Sequence, residues 1–249
     1  MTLDPRFTLH AYETLASTND EARRLARDRR APTLSLVWAR QQSAGRGRMD
    51  RTWQSPEGNL YWSCLVRLPG PMPSGTPVEP GELCFVAAAA VLTAVRQLVP
   101  APVAATVKWP NDVLIEGAKV AGILIEAEAG AEPFAVVGIG LNVGWAPTGT
   151  PYPATNLAAW GAPASVETAF ETLSNAFLHH HDVLLTAGAA AVRRMLDGQW
   201  AGQGDRITVR TAVGERTGVF DRLDAQGRLC LRLDDGRVET LTVGDVFFP

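Results

Sequence analysis

The stretch Gln41–Val66 constrains the fold more than any other part of the sequence. It joins a loop rich in glycine and arginine, Gly45–Arg51, to a run of alternating apolar residues, Asn59–Val66. Glycine lets a backbone bend and approach a ligand closely, and arginine presents charged donors that fit carboxylate and phosphate oxygens. The alternation predicts a β-strand with one apolar face, formed by Leu60, Trp62, Cys64 and Val66. A mobile cationic loop beside a rigid sheet is typical of a site that encloses an anion.

The loop does not match the common phosphate-binding signatures. Asp50 stands where a dinucleotide fingerprint requires its third glycine, and no Gly-Lys-Ser/Thr sequence follows to make a P-loop. From these residues alone, an anion site and a solvated surface turn both stay open, and contact with nucleic-acid phosphates is a third alternative.

Composition excludes several classes of protein. The chain has 249 residues, enough for one large or two unequal domains. A net charge of −3 argues against general coating of nucleic acid, so the cationic loop suits one small anion. The three cysteines are far apart and indicate buried thiols in a reducing compartment: Cys64, Cys84 and Cys230. The sequence has no signal pattern and no apolar run of membrane length, so we expect a cytoplasmic protein with no membrane partner.

Both helices and strands are predicted in the first 200 residues. Ser17–Glu21 favours the start of a helix that runs to about Arg30; Thr18 with Glu21 fits a capping box, and Ser17 with Asp20 nearly does. Residues Pro69–Pro80 are predicted to form a surface loop. Apolar patterning predicts two further helices and four further strands: helices Glu82–Val99 and Val166–Leu185, and strands Leu34–Ala39, Thr106–Trp109, Lys119–Glu126 and Phe134–Val143. Glu116-Gly117 is expected to form a hairpin turn, although its sequence is not ideal for one.

Two details of these elements bear on a site. Gly122, Gly138 and Gly140 lie within strand patterns, which implies close approach of a ligand or backbone, with a β-bulge as the alternative. The residues His179–His181 cannot jointly hold a metal, because adjacent side chains on a helix point about 100° apart. We expect these histidines to form a solvated helix end, and we expect no metal site.

A second, smaller domain follows. Short strands separated by turn residues predict an SH3-like β-barrel: Arg206–Thr211, Arg216–Leu223, Arg228–Leu233 and Val238–Thr242. The boundary is expected near Gln199–Gln203, which gives domains of residues 1–199 and 200–249.

Four motifs, in order, resemble the biotin protein ligases. They are Ser17-Thr18-Asn19; AGRGR at 44–48 with Trp53 and NLYWS at 59–63; KWPND at 108–112 with KVAGIL at 119–124; and GIGLNV at 138–143. They span most of the first 145 residues, and the C-terminal segment is similar to the small barrel of that family. The resemblance implies an α+β fold: a class II synthetase-like catalytic domain with a mixed or antiparallel sheet and helices, followed by the SH3-like barrel.

The resemblance also implies an activity. Biotin protein ligases join biotin to ATP, with Mg²⁺, as biotinyl-5′-AMP, and transfer the biotin to a lysine of a biotin carboxyl carrier protein. Members that repress transcription carry a DNA-binding domain before the Ser-Thr-Asn motif. Only 16 residues precede Ser17, so we expect the catalytic type without a DNA partner. A homodimer through the sheet would fit the family.

The motifs carry roles onto individual residues. The residues expected to bind biotin are Ser17, Thr18, Asn19, Gln42, Gly45, Arg46, Gly47, Arg48, Trp53, Lys108 and Gly122. Those expected to bind the nucleotide are Arg46, Arg48, Arg51 and Asn142, and the catalytic charges are Arg48, Arg51 and Lys108. Without the resemblance, Ser17–Asn19 would be explained as a helix cap and Gln42 as a solvated side chain. A lysine at Lys108, near the end of a strand, indicates a function even without the resemblance, with an edge lysine that blocks aggregation as the alternative.

Two alternatives to this function remain. A related lipoate or octanoate ligase would share the fold, but those acyl chains lack the ureido group that the polar residues Ser17–Asn19 and Gln42 suit. A non-enzymatic biotin-sensing or RNA-binding module that uses the C-terminal barrel is disfavoured by the acidic net charge.

The sequence departs from the family at Met49-Asp50, where many members carry Arg-Gly. The change removes a positive charge and a hinge glycine and adds a negative charge. We expect looser attraction of phosphate or a different closed shape of the loop, with function retained.

Replacing Arg48 with glycine should make the enzyme release its adenylate, because the loop loses a charge that holds the phosphate. Retention of biotinyl-5′-AMP by R48G and by the parent protein checks this. Equally tight retention would contradict the role of Arg48.

Overall fold

A computed structural model describes residues 3–28, 31–49, 51–68, 78–162 and 165–248, which form two β-sheets and four α-helices. The helices are α1 (Thr18–Arg27), α2 (Glu82–Leu98), α3 (Val166–Ala187) and α4 (Ala189–Met195). The strands are β1 (Thr8–Leu15), β2 (Ser35–Gln42), β3 (Leu60–Arg67), β4 (Ala105–Lys108), β5 (Asp112–Ile115), β6 (Ala118–Glu128), β7 (Phe134–Leu141), β8 (Arg206–Thr211), β9 (Gly214–Leu223), β10 (Leu229–Arg232), β11 (Val238–Leu241) and β12 (Asp245–Phe247).

Three sequence expectations fall wholly or partly outside the described residues. They concern Asp50 in the Gly/Arg loop, Arg30 near the expected end of the first helix, and residues 69–77 of the expected surface loop. Among the described residues, no helix is long and apolar enough to cross a membrane.

The larger sheet is mixed, as predicted. Its strand order is β1-β2-β3-β7-β6-β5-β4. Only the β1–β2 pair among these is parallel, and the other neighbours are antiparallel. The sequence analysis did not predict β1, because this edge strand is largely exposed and has no apolar face to reveal it.

The two faces of this sheet are covered differently. Leu60, Trp62, Cys64 and Val66 lie together in the main core with residues of α2 and α3, which confirms the predicted alternation in β3. On the opposite face, α1 packs with Ala22 and Leu25 over Val37, Leu65 and Val136. The predicted hairpin at Glu116-Gly117 is confirmed, since both residues have positive φ and join β5 to β6 as a type I′ turn does.

The smaller sheet is antiparallel, in the order β11-β10-β9-β8-β12. Trp109, which follows β4, lies in its core beside Phe220 and Val246, and the Trp109 indole donates to the Gly227 carbonyl at 3.0 Å. This tryptophan joins the sheet to the end of β4. In the described residues no ladder joins β11 to β12, so closure into a barrel stays a prediction.

The expectation of a solvated histidine cluster is wrong for two of its three members. Helix α3 continues to Ala187, and His180 and His181 are buried inside it, whereas His179 is exposed. His180 Nε2 lies 3.0 Å from the Thr93 hydroxyl of α2. Burial, with a smaller contribution from the charge of His179, lowers the pKa of His180 to about 4.

We expect His180→Gln to flatten the acid side of the stability profile. Because the folded-state pKa of His180 is below its unfolded value, the unfolded chain binds more protons between about pH 6.5 and pH 4. The parent protein therefore loses up to about 3 kcal/mol from this group as pH falls through that window. Free energies of unfolding from urea titrations across that range test this. The exposed control His179→Gln should follow the parent, and identical slopes for all three proteins would contradict the assignment.

Candidate active site

One row of residues crosses five strands of the larger sheet in register. Tyr61 of β3 faces Gly140 of β7, Gly140 faces Gly122 of β6, Gly122 faces Asp112 of β5, and Asp112 faces Lys108 of β4. Directly paired residues present their side chains on the same face of a sheet. The row therefore carries two bare glycines at its centre and a carboxylate and an amine at its β4 end.

The Trp53 indole, which follows the Gly/Arg loop, packs on the two glycines at the centre of the row. A Cβ added to Gly122 would lie 2.9 Å from Cζ3 of Trp53, and one added to Gly140 would overlap the ring more severely. At Gly138, two residues before Gly140 in β7, an added Cβ would overlap the Asn19 side chain. These glycines admit close neighbours, but the neighbours are side chains of this chain rather than the ligand or backbone that the sequence predicted. The β6–β7 ladder has no bulge there.

These groups enclose a cavity of about 420 Å³. Every residue expected to form the site except Gly45 lines it: Ser17, Thr18, Asn19, Gln42, Arg46, Gly47, Arg48, Arg51, Trp53, Lys108, Gly122 and Asn142. Gly45 packs against the backbone oxygen of Trp53 and the hydroxyl of Ser55, where a Cβ would not fit. Gly45 therefore affects the shape of the Gly/Arg loop and does not line the cavity.

A chain of hydrogen bonds between neutral groups forms one end of the cavity. Ser17 caps α1 by accepting a hydrogen bond from the Asp20 backbone N–H, so the predicted Thr18–Glu21 capping box is wrong. The Thr18 backbone N–H and hydroxyl instead donate to Gln42 Oε1, at 2.8 and 3.1 Å. The Ser63 hydroxyl lies 2.8 Å from Thr18 Oγ1 and 2.6 Å from Asn19 Oδ1. These short side chains are buried, so their hydrogen bonds fix them in place. Capping and site formation are both served by this segment.

Two arginines of the loop are paired with carboxylates. Arg46 Nη2 donates to Asp20 at 2.7 Å and to both oxygens of Glu126 at 3.2 Å. Arg51 donates through both Nη atoms to Asp245 of the smaller sheet, and these hydrogen bonds raise the pKa of Arg51. An arriving anion would share or replace these carboxylates.

The two lysines at the other end of the cavity are in different environments. Lys119 Nζ lies 2.6 Å from Asp112 and 5.3 Å from the centre of the Trp53 ring. Lys108 is only 7% exposed, and its Nζ lies 3.9 Å from the centre of the Tyr152 ring. Burial lowers the pKa of Lys108, partly opposed by the charge of Asp112. No carboxylate among the described residues is within ion-pair distance of Lys108, so a bound anion would stabilise its charge.

Arg48 and Asn142 complete the set. Arg48 Nη1 donates to Asn111 Oδ1 at 3.0 Å, so this guanidinium has a neutral partner. Asn142 is buried, and its amide donates to the Thr155 carbonyl at 3.0 Å. In this state Asn142 holds the 142–157 segment, which contributes Tyr152 to the cavity wall.

Sequence reasoning missed several residues that line the cavity. They are Tyr61, Asn111, Asp112, Lys119, Tyr152, Arg210, Asp245 and Phe247. A signal existed for Tyr61, because the predicted alternation of β3 turns it away from the apolar core. Lys119 directly follows a predicted hairpin and begins a motif already noted. Nothing local marks Arg210, Asp245 or Phe247, which reach the cavity only through the docking of the smaller sheet.

Comparisons with known proteins match this architecture. The Biotin/lipoate A/B protein ligase family matches residues 12–143, and the biotin protein ligase C-terminal domain matches residues 204–248. The biotin–[acetyl-CoA-carboxylase] ligase of Paracoccus denitrificans is 36% identical over 93% of this chain and 97% of its own length.

Two solved structures extend the likeness. The biotin protein ligase of Aquifex aeolicus in complex with biotin and ATP has a TM-score of 0.78 at 22% identity, covering 96% of this chain and 97% of that chain. The Leishmania major biotin protein ligase in complex with biotinyl-5-AMP has a TM-score of 0.60 at 26% identity, covering 96% of this chain and all (100%) of that chain.

The seating of Trp53 on the sheet can be tested by Gly140→Ala. The added methyl overlaps the indole, and overpacking of this kind costs about 1–3 kcal/mol of unfolding free energy. The control is Gly81→Ala, because Gly81 has an ordinary φ of −62° and open space around it. We expect the control to stay within about 0.5 kcal/mol of the parent in urea unfolding. Equal losses in both variants would place Trp53 elsewhere.

Proposed function

The chain belongs to the Biotin/lipoate A/B protein ligase family, and from this membership we propose how its residues perform the reaction of a biotin protein ligase. It is an ATP-dependent ligase that converts biotin and ATP to biotinyl-5′-AMP and then transfers biotin to a protein lysine. The site residues and their roles are the proposal.

The observation that carries the assignment of roles is the two-ended cavity. Neutral hydroxyl and amide groups gather near α1 and β3. Lys108, Lys119 and Arg48 gather near β4 and β5, whereas Arg46 lies beside α1, paired with Asp20 and Glu126. Four strand spacings separate β3 from β4, which is about 19 Å. This length suits an extended ligand with a neutral head and a phosphate. Thr18, Asn19 and Gln42 would hydrogen-bond the biotin ureido group, and Trp53 would cover its apolar side.

The first step joins two anions. An oxygen of the biotin carboxylate attacks the α-phosphorus of ATP, the new P–O bond forms, and the bond to the β-phosphate oxygen breaks to release pyrophosphate. Repulsion between the reactants is the main obstacle, so positioning and neutralisation of charge supply most of the catalysis. Arg48, Arg51 and Lys108 are the catalytic charges, and Lys119, which is paired with Asp112 of the row, joins them.

The second step consumes the mixed anhydride. The amine of the acceptor lysine attacks the biotinyl carbonyl, an amide forms, and AMP leaves with its electron pair and a proton is lost from the amine. Water would hydrolyse the anhydride, so the Gly/Arg loop and Trp53 must cover it until the acceptor arrives. Gly45 and Gly47 permit this rearrangement. Asn142, which lines the cavity, would contact the adenylate.

Mg²⁺ enters as part of the MgATP substrate. The described residues contain no cluster of three or more metal-ligating side chains. Mg²⁺ on a nucleotide needs only one or two protein carboxylates beside the phosphates and water. Asp112 and Asp245, which line the cavity, are the carboxylates that fit this role.

The partner and the setting extend the same proposal. The acceptor is a biotin carboxyl carrier protein of acetyl-CoA carboxylase or a related carboxylase, as the name of the Paracoccus denitrificans relative suggests. The smaller sheet is the SH3-like barrel, residues 200–249 form the second domain, and residues 1–199 the first. The enzyme works in the cytoplasm, and the exposed edge strand β1 offers a surface for a homodimer.

A lipoate or octanoate substrate is disfavoured by the neutral end of the cavity. An acyl chain without a ureido group would leave Thr18, Asn19 and Gln42 facing apolar atoms, at the cost of unsatisfied polar groups.

Mass spectrometry of the purified protein after incubation with biotin and MgATP tests the proposal, with lipoate and MgATP in parallel. We expect retained biotinyl-5′-AMP and no lipoyl adenylate, because only biotin satisfies the polar end. Formation of the lipoyl adenylate instead would assign the alternative substrate, and no adenylate with either acid would contradict the ligase function.

A further inference from the structure

A single carboxylate, that of Glu126, bonds to both the cavity and the loop that covers it. Asn19 Nδ2 donates to Glu126 Oε2 at 2.8 Å, and Arg46 Nη2 lies 3.2 Å from each Glu126 oxygen. Arg23 Nη1 of α1 donates to Oε1 at 2.9 Å. Glu126 lies on β6, on the same face as Gly122 and four residues further along the strand.

The carboxylate decides which way the Asn19 amide points. An ionised carboxylate only accepts hydrogen bonds, so Asn19 must present its NH₂ group to Glu126. Asn19 Oδ1 is then the acceptor for the Ser63 hydroxyl, at 2.6 Å. A neutral amide in place of Glu126 could donate or accept, and the constraint left on the orientation of Asn19 would be the long contact of its Nδ2 with the Leu124 carbonyl, at 3.5 Å. In the resting protein, Glu126 thus fixes the donor and acceptor pattern over Gly138.

The same carboxylate anchors the loop without consuming its arginine. All the hydrogen bonds of Arg46 to Asp20 and Glu126 use Nη2. A guanidinium has five N–H donors, so the Nη1 and Nε groups remain for a ligand. The network also returns to the loop, because Gln42 Nε2 donates to Ser55 at 2.9 Å and Ser55 donates to the Trp53 carbonyl at 2.9 Å.

We propose that Glu126 is a positioning residue that couples order in the biotin-binding end of the cavity to order in the Gly/Arg loop; this rests on the biotin ligase function above. It touches neither reacting atom. It acts through Asn19 on biotin recognition and through Arg46 on retention of the adenylate, so one substitution should affect both.

Three variants separate these effects. Glu126→Gln removes the charge and the fixed orientation of Asn19. Asp20→Asn loosens Arg46 without touching Asn19. Glu128→Gln is the matched control, since Glu128 is on the same strand and pairs with Arg27 of the same helix but has no described contact with Asn19 or Arg46.

The readouts are the biotin Kd by calorimetry without ATP and the rate of biotinyl-5′-AMP release. Hydrogen bonds to charged groups are worth enough that E126Q should raise both by about tenfold. D20N should accelerate release and leave the biotin Kd within about twofold, and E128Q should leave both within about twofold. Circular dichroism melts check that each variant is folded. If E126Q does not fold, Glu126→Asp replaces it, because its shorter side chain cannot reach Asn19 and Arg46 together.

Several results would overturn the proposal. Values for a folded E126Q or E126D within twofold of the parent would leave Glu126 a structural residue only. Slower release from E126Q would mean that Glu126 competes with the phosphate for Arg46. Effects of equal size in E128Q would reduce the role of Glu126 to general surface charge. If the parent forms no adenylate, the ligase function fails, and the biotin Kd still tests the Asn19 branch.

Discussion

The site depends on one contact, in which the Trp53 indole packs directly against Gly122 and Gly140. Trp53 reaches the sheet only because Gly122 and Gly140 are directly paired and neither has a side chain. A larger residue at either position would lift the indole and the Gly/Arg loop behind it. The same bare surface leaves room for a ligand between the indole, α1 and the smaller sheet. The absence of side chains at Gly122 and Gly140 therefore sets where the Trp53 indole lies on the sheet.

Carboxylates form ion pairs with three of the cationic side chains that line the cavity. Arg46, Arg51 and Lys119 are all paired with carboxylates in the described structure. Such pairs keep strong charges ordered at modest gain, since exposed ion pairs contribute little to stability. Lys108 differs, because it is buried against aromatic rings and burial lowers its pKa. The phosphate of a substrate would compensate its charge most directly, which links binding to the protonation of that amine.

Much of this arrangement could be predicted from the sequence, for a physical reason. The alternation of β3, the hairpin at Glu116-Gly117 and the helix cap at Ser17 are encoded by neighbouring residues, and all three appear in the structure. Contacts between residues that are far apart in the sequence could not be predicted from neighbouring residues. The Arg51–Asp245 pair spans the two sheets, and the burial of His180 depends on how α3 packs against α2. Strand β1 was not predicted, because this edge strand buries too little apolar surface for its sequence to show an apolar alternation.

The most direct test of the account is a crystal structure of this chain with biotinyl-5′-AMP. We expect the ureido ring within about 3 Å of Thr18, Asn19 or Gln42, the indole of Trp53 against the ligand, and the phosphate beside Arg48 and Lys108. A ligand that leaves the row from Tyr61 to Lys108 uncovered, or that binds with its phosphate among the neutral groups of α1, would contradict it.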